Sequence, residues 1–360
     1  MKKRIKKNDY IIIALAVLLT VSYYSIKYIR IFEKDTYYEE KVKASIIMNE
    51  AILAIKEERI KKGIPIDKTI DINETGIIGY EYSAMTTTLG SPEAKRTSIN
   101  PSFAAVVLHM MKELGLKKGD YAAINLSGSF PGLNIAVLSA AQTLGLNPVV
   151  MSSAGASTYG ANIPEFNYLH MEEILYNKKI LSAKSIKNSL GGDRDIGFDM
   201  EEDIRSLLLK QFDQYGRSVL YESDLDKNIS KRYEIYQEIS KNKIKCFINV
   251  GGNLASIGNE EDWSNAGSGI ILPGVNRLTV KSGLIGKFLS DGVPVINLLN
   301  IKKIAVDYDI PIDPFPMSQI GEDGIFYKYT YPRLFSWLLI LLTTLTIIYY
   351  GRKVRTSYDR

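Results

Sequence analysis

The chain has 360 residues, 46% of them hydrophobic and 24% charged, which excludes disordered, collagen-like and low-complexity classes and allows about two ordinary domains. Its 45 Lys and Arg against 40 Asp and Glu give a net charge of +5, but the excess sits at the ends. Twelve of the basic residues lie in 1–30 and 333–360, so the stretch between keeps 33 basic against 38 acidic, a net of −5. Nucleic acid, which needs a clustered basic face on the folded part, is excluded as a partner. One cysteine, Cys246, excludes an internal disulfide and a Cys-based zinc knuckle. Two histidines, His109 and His170, exclude a histidine-rich metal site.

The chain opens on a basic tail, residues 1–9, followed by an uncharged run from Tyr10 to Ile26 that predicts a transmembrane helix over 10–29. Bulky TVSYYSIKY stands where a signal peptide would be cut, so this segment reads as an uncleaved anchor. Residues 30–75 form a juxtamembrane helix and linker. The helix starts near Thr36, turns Val42, Ile46, Ile47, Leu53 and Ile60 toward the domain, and ends at Gly63 before Pro65. From 76 to 330 short apolar runs alternate with amphipathic helices. YAAINL, PVVMSS, CFINVGG and PVINLL read as strands of continuous apolar character. Such strands, separated by helices, predict an α/β domain with a mostly parallel sheet flanked by helices.

A second uncharged run, Leu334 to Gly351, predicts a transmembrane helix over 331–351. Its 18 residues span about 27 Å against a hydrocarbon core of about 30 Å. Tyr23, Tyr24, Tyr28, Tyr329, Trp337 and Tyr349 cluster near the ends of the two spans, as interfacial aromatic belts do. A basic tail, 352–360, closes the chain. With both tails basic, both termini are expected in the cytoplasm and the central domain outside it, in a two-pass cell-membrane protein. A lone cysteine suits that oxidising side, having no partner to misbridge with.

In open α/β sheets, ligands bind beyond the carboxyl ends of the strands, and three loops there share one composition. NLSGSFPGLN offers Asn125, Ser127, Gly128, Ser129 and Asn134 between a strand and a helix start. SSAGASTYGAN offers Ser153, Gly155 and Ser157, and NVGGNLASIGN offers Gly251, Gly252 and Asn253. Backbone N–H groups and hydroxyls in such turns can hold a carboxylate, phosphate or oxyanion. Lys95 and Arg96, placed just before the expected N-cap Asn100 and Pro101, would add positive charge for an anionic ligand. No Walker loop, dinucleotide glycine spacing or G-x-S-x-G elbow occurs, and no cofactor or metal is called for. His109 lies in a helix with Glu113 one turn on, a surface pair, whereas His170 precedes a helix and is the better candidate base. Asp193, Asp195 and Asp199 lack the calcium-loop glycine and glutamate and read as a solvated acidic loop.

GIIGYEYSAMTTTLG, AKRTSINPSFAA, SGSFPGLNIA, SSAGASTYGAN, the GGDRD turn, VGGNLASIG and PVINLL with the later PIDPFPM, in this order, resemble the poly-γ-glutamate system protein family. These segments span Gly76 to Met317, and the layout of two spans around an external domain agrees. The resemblance implies a pathway, poly-γ-glutamate synthesis and export, and carries over no catalytic residue. It implies a membrane-anchored accessory of the ligase or export complex that binds γ-linked glutamate, or another anionic ligand, through the strand-end loops. The alternative is a γ-glutamyl hydrolase or transpeptidase that trims or releases polymer. Its nucleophile would be Ser127 or Ser129, its base His170, His109 or a lysine, and its oxyanion donors the amides of Gly128 and Phe130. A pocket serine within ~3 Å of a histidine or lysine would favour the enzyme.

Overall fold

The structure is a computed structural model that describes residues 7–28, 31–258, 267–274, 278, 281–330 and 333–358. The first six residues of the basic N-terminal tail, the last two of the C-terminal tail and Asn259 of NVGGNLASIGN lie outside them. The chain divides into two units, one made of Met1–Thr36 with Tyr327–Arg360 and the other of Tyr37–Phe326.

The terminal unit begins with α1 (Lys7–Tyr28) and β1 (Ile31–Lys34). The larger unit opens with α2 (Tyr38–Lys61), β2 (Thr86–Thr88), α3 (Pro92–Ile99) and α4 (Ser102–Glu113). Then come β3 (Tyr121–Ser127), α5 (Pro131–Leu144), β4 (Asn147–Ser153), β5 (Ala156–Ser157), α6 (Tyr168–Asn177) and β6 (Lys187–Ser189). It continues through α7 (Glu202–Gln214), α8 (Leu225–Ser240), β7 (Ile244–Val250), α9 (Leu254–Ile257) and β8 (Gly269–Ile271). It closes with α10 (Gly283–Ser290), β9 (Val295–Leu298) and α11 (Ile301–Asp307). The chain then returns to the terminal unit with β10 (Tyr327–Thr330) and α12 (Arg333–Tyr358).

Six strands form the central sheet in the order β6-β4-β3-β7-β9-β8, parallel throughout except for the antiparallel edge strand β8. The apolar runs of β3, β4 and β7 are buried almost end to end, as a sheet covered on both faces requires. On one face α8, α9 and α10 pack, with Phe247 of β7 stacked on Phe288 at 4.6 Å between ring centres. Helices α4 and α5, backed by α2, form the opposite layer. After β3 the chain runs to one side through β4 and β6, and after β7 it runs to the other. The strand order therefore reverses between β3 and β7, and a crevice opens beyond their carboxyl ends.

Helix α2 belongs to the larger unit's core, and the stripe expected to face inward does so only in part: Val42 and Ile47 are half-buried, and Ile46, Leu53 and Ile60 face out. It buries Ala44, Met48, Ala51 and Ile55 completely, while Ile46, Leu53 and Ile60 are 43%, 55% and 58% exposed. Alanines let α2 approach α4 and α5 closely, and Met48, Ile52 and Ile55 fill the space between them. Buried Arg59 then fixes the loop that follows, donating to the carbonyls of Gly76, Ile78 and Pro65.

In the terminal unit β1 pairs antiparallel with β10, and Phe32 packs on Tyr329 with ring centres 4.8 Å apart. Among the described residues one helical stretch, Arg333–Arg352 of α12, is long and apolar enough to cross a membrane by length and composition. Among the described residues α1 contributes a shorter apolar stretch, Ile13–Ser25, in place of a second helix that meets that test.

The expected solvated loop at Asp193–Asp199 is wrong for Asp195. Its carboxylate and the Arg232 guanidinium lie 2.5 Å apart, both 1% exposed, with Ser189 and Asn228 also donating to it. Removing one member of such a pair strands the other's charge in the interior. Asp195→Ala should therefore lose about 3–5 kcal/mol of stability in denaturant unfolding, whereas Asp203→Ala on exposed α7 should stay within about 0.5 kcal/mol.

Candidate functional site

A pocket of about 440 Å³ occupies the crevice where the strand order reverses. Ser127, Ser129 and Phe130 reach it from the β3–α5 turn, Ser153, Gly155 and Ser157 from the loop after β4, and Gly252, Asn253 and Leu254 from the loop after β7. The three loops singled out in the sequence thus meet at one place. Three further segments complete the wall: Thr87–Gly90 in and after β2, the turn carrying Gly192, Asp193 and Asp199, and Leu299 after β9. Asp193 and Asp199 bring carboxylates to a pocket otherwise walled by hydroxyls, backbone and the apolar side chains of Leu89, Phe130, Leu254 and Leu299.

Glycine is required where these loops touch backbone to backbone. A Cβ on Gly128 would lie 2.5 Å from the Ala154 carbonyl oxygen, and one on Gly160 2.9 Å from that of Gly128. Hydroxyls tie the loops together. Ser127 Oγ accepts from the Ser129 amide at 3.2 Å, and Ser129 Oγ accepts from the Ser157 amide at 3.0 Å. Gly128 N–H donates to Ser153 O at 3.0 Å and Phe130 N–H to Ser127 O at 3.4 Å, so the amides expected to serve as oxyanion donors are already engaged.

Lys95 is the residue the structure most changes. It lies within α3 rather than before a helix, and Asn100 caps the end of α3 while its side chain also accepts from Ser102 N. The Lys95 side chain, 2% exposed, runs behind the pocket wall. Its Nζ donates to Ser129 O, lies 2.6 Å from Ser157 Oγ, and sits 3.7 Å from the centre of the Phe130 ring. Among the described residues no carboxylate stands within ion-pair distance of it. Burial lowers its pKa from 10.5 to about 7.

Other expected site residues are placed elsewhere. Arg96 points away from the pocket into a bidentate pair with Asp313 and a bond to Ile70 O. Asn125 lies beneath the loops, bonded to Ser256 and Arg232, and Asn134 holds Ser127 O at 2.9 Å. Gly251 backs the Phe130 ring rather than lining the pocket. His170 does not line the pocket either. Its ring packs edge-on against Tyr215 with Nδ1 3.1 Å from Asn167 Oδ1, and burial with the Lys62 charge lowers its pKa to about 4. His109 packs edge-on against Tyr308. Cys246 is buried in β7, and burial pushes its thiol up.

Sequence reading missed a ladder of buried asparagines under the site. Asn125, Asn249 and Asn297 stand side by side on β3, β7 and β9, all fully buried, with Asn249 Nδ2 donating to Asn297 Oδ1 at 2.8 Å and to Gly251 O at 2.8 Å. The signal was present as one asparagine per strand, three residues or fewer before the loop or strand end. Among the described residues no group of three or more His, Cys, Asp or Glu side chains could hold a metal ion.

Comparison of the chain with family models, with curated proteins and with solved structures returned no match.

The buried amine sets a pH dependence. The unfolded chain protonates Lys95 below about 10.5 and the folded chain only below about 7, so between these values the unfolded state binds more protons and stability rises with pH. Below pH 7 the cost of burying the charge is present in full, on the order of 5 kcal/mol. Lys95→Met should therefore flatten the rise in denaturant midpoint between pH 7 and 10, gaining most over the parent chain below pH 7 and least near pH 10.

Proposed function

We propose that this protein is a membrane-anchored component of poly-γ-glutamate synthesis and export whose α/β domain takes γ-linked glutamate into the strand-end pocket. One observation carries this reading. The segments that resemble the poly-γ-glutamate system family lie far apart in the chain, yet Thr88, Ser127, Ser157, Gly192 and Asn253, one from each of five of them, line one pocket. Packing alone does not require five such segments to share a cavity.

The chemistry suits transient contact with a polyanion. The stretch between the ends is net acidic, Lys95 is buried and Arg96 is paired with Asp313. Recognition would rest on hydroxyls, amide groups and short-range dipoles rather than on a broad basic field that would trap the polymer. The amino end of a chain, with its ammonium group, matches Asp193 and Asp199.

The anchoring supports the same reading. We place α12 across the membrane and α1 beside it as a second, shorter span, with Lys27, Arg333 and Arg352 at the interfaces. The antiparallel β1–β10 pair brings the chain in and out side by side, which supports two spans with their ends on one side, and the basic character of both tails favours the cytoplasmic one. Thr20, Thr343, Thr344 and Thr346 bond their own helices' carbonyls four residues back, which satisfies their hydroxyls in lipid.

The test is made in cells that depend on this protein for polymer. Ser127→Leu, which fills the pocket, should lower polymer yield or shift chain length as much as deleting the gene, with the protein still present in the membrane fraction. Normal yield and chain length with Ser127→Leu would overturn the pocket's role. Normal polymer after deletion would overturn the pathway.

A further inference from the structure

We infer that Ser157 and Lys95 form a nucleophile–base pair at the pocket wall, an acyl-transfer centre that attacks amide carbonyls. That the amide is a γ-glutamyl one rests on the assignment of γ-linked glutamate to this pocket; the pair itself rests on geometry.

Ser157 lines the pocket, and its Oγ lies 2.6 Å from Lys95 Nζ, within the reach that proton transfer needs. The serine is held from several sides. It sits on β5, which pairs with β2, and its amide donates to Ser129 Oγ at 3.0 Å. Access to the pair depends on Gly90. A Cβ there would stand 3.0 Å from Lys95 Cε and 3.1 Å from Ser157 Oγ. A side chain at this position would press on both members of the pair.

A lysine buried for structure alone is ordinarily paired with a carboxylate. Lys95 faces a carbonyl, a hydroxyl and an aromatic ring. The charged neighbours on its own helix are committed elsewhere, Glu93 to Lys302 and Arg96 to Asp313. The other titratable groups at the pocket are Asp193 and Asp199. An amine without a counter-ion, kept from water, holds its neutral form near neutrality, which is the form a general base needs. His170 and His109, outside the pocket, are not required.

The step balances without cofactor or redox partner. Neutral Lys95 takes the Ser157 proton as Oγ bonds to the amide carbonyl carbon. The C–N bond then breaks, Lys95 passes that proton to the leaving nitrogen, and an ester remains on Ser157. Water, or an incoming amine, attacks the ester while Lys95 takes its proton. The ester C–O bond breaks, the proton returns to Ser157, and a carboxylic acid, or a new amide, is released.

The full chain in detergent micelles, treated with a fluorophosphonate probe, should carry one adduct on Ser157 by peptide mass spectrometry. The labelling rate should climb with pH through about 7 and then level off, following the loss of the Lys95 proton. Lys95→Met should slow it at least tenfold, and Gly90→Ala should slow it with Lys95 intact. A structural lysine would give no such pH profile in the parent chain, so the profile decides even if Lys95→Met fails to fold. Absence of a Ser157 adduct, or labelling indifferent to pH between 5 and 9, overturns the pair. Labelling that γ-linked glutamate oligomers leave unprotected keeps the pair and overturns the polymer as its substrate.

Discussion

Polar groups buried at the carboxyl ends of the strands are costly to leave without hydrogen bonds, and this constraint shapes the site. Asn125, Asn249 and Asn297 form a rung across β3, β7 and β9, and each reaches a neighbouring loop or helix, at Ser256, Gly251 and Gly267 respectively. On the flank, Arg232 joins Asn125 to Ser189 and Asp195 and so ties α8 to β3, β6 and the turn that follows β6. Each bond is worth on the order of 1 kcal/mol when made and costs more when left unmade, so the network is strict about geometry. It sets the positions from which the β3, β4 and β7 loops start.

Above that layer the loops hold one another through Ser127, Ser129 and the close backbone contacts that glycine permits. Lys95 departs from the rule of paired burial. Its cation has a carbonyl, a hydroxyl and the Phe130 face to meet it, but no carboxylate among the described residues. A site that gives up stability in this manner ordinarily does so for chemistry. The Lys95–Ser157 contact is therefore the point at which a binding pocket and an acyl-transfer site part company.

Much of this architecture was legible in the chain. Strands β3, β4, β7 and β9 announce themselves as continuous apolar runs, and the composition of the loops after β3, β4 and β7 marks the crevice. Strand β6, Lys187–Ser189, was not legible, because its buried side chains are polar and are satisfied only by distant partners such as Ser152 and Asp195. The inward face of α2 was misjudged in part, because hydrophobicity favours Ile46 and Leu53, whereas close approach to α4 and α5 is made through alanines. Lys95 and Arg96 are adjacent in one helix and were read as a pair. One full burial and one ion pair with Asp313 separate them, and only the tertiary fold decides which is which. Ser157 was counted as a ligand group rather than a nucleophile, since nothing local reveals that a lysine 62 positions earlier comes to rest beside it.

The central claim is that γ-linked glutamate meets this protein at the strand-end pocket. Hydrogen exchange of the full chain in lipid nanodiscs, with and without a γ-linked glutamate oligomer, tests it most directly. The account predicts slowed exchange confined to residues 87–90, 127–130, 153–157, 192–199 and 252–254. Unchanged exchange in those segments, or protection that appears instead on the exposed Ile46, Leu53 and Ile60 side of α2, would contradict it.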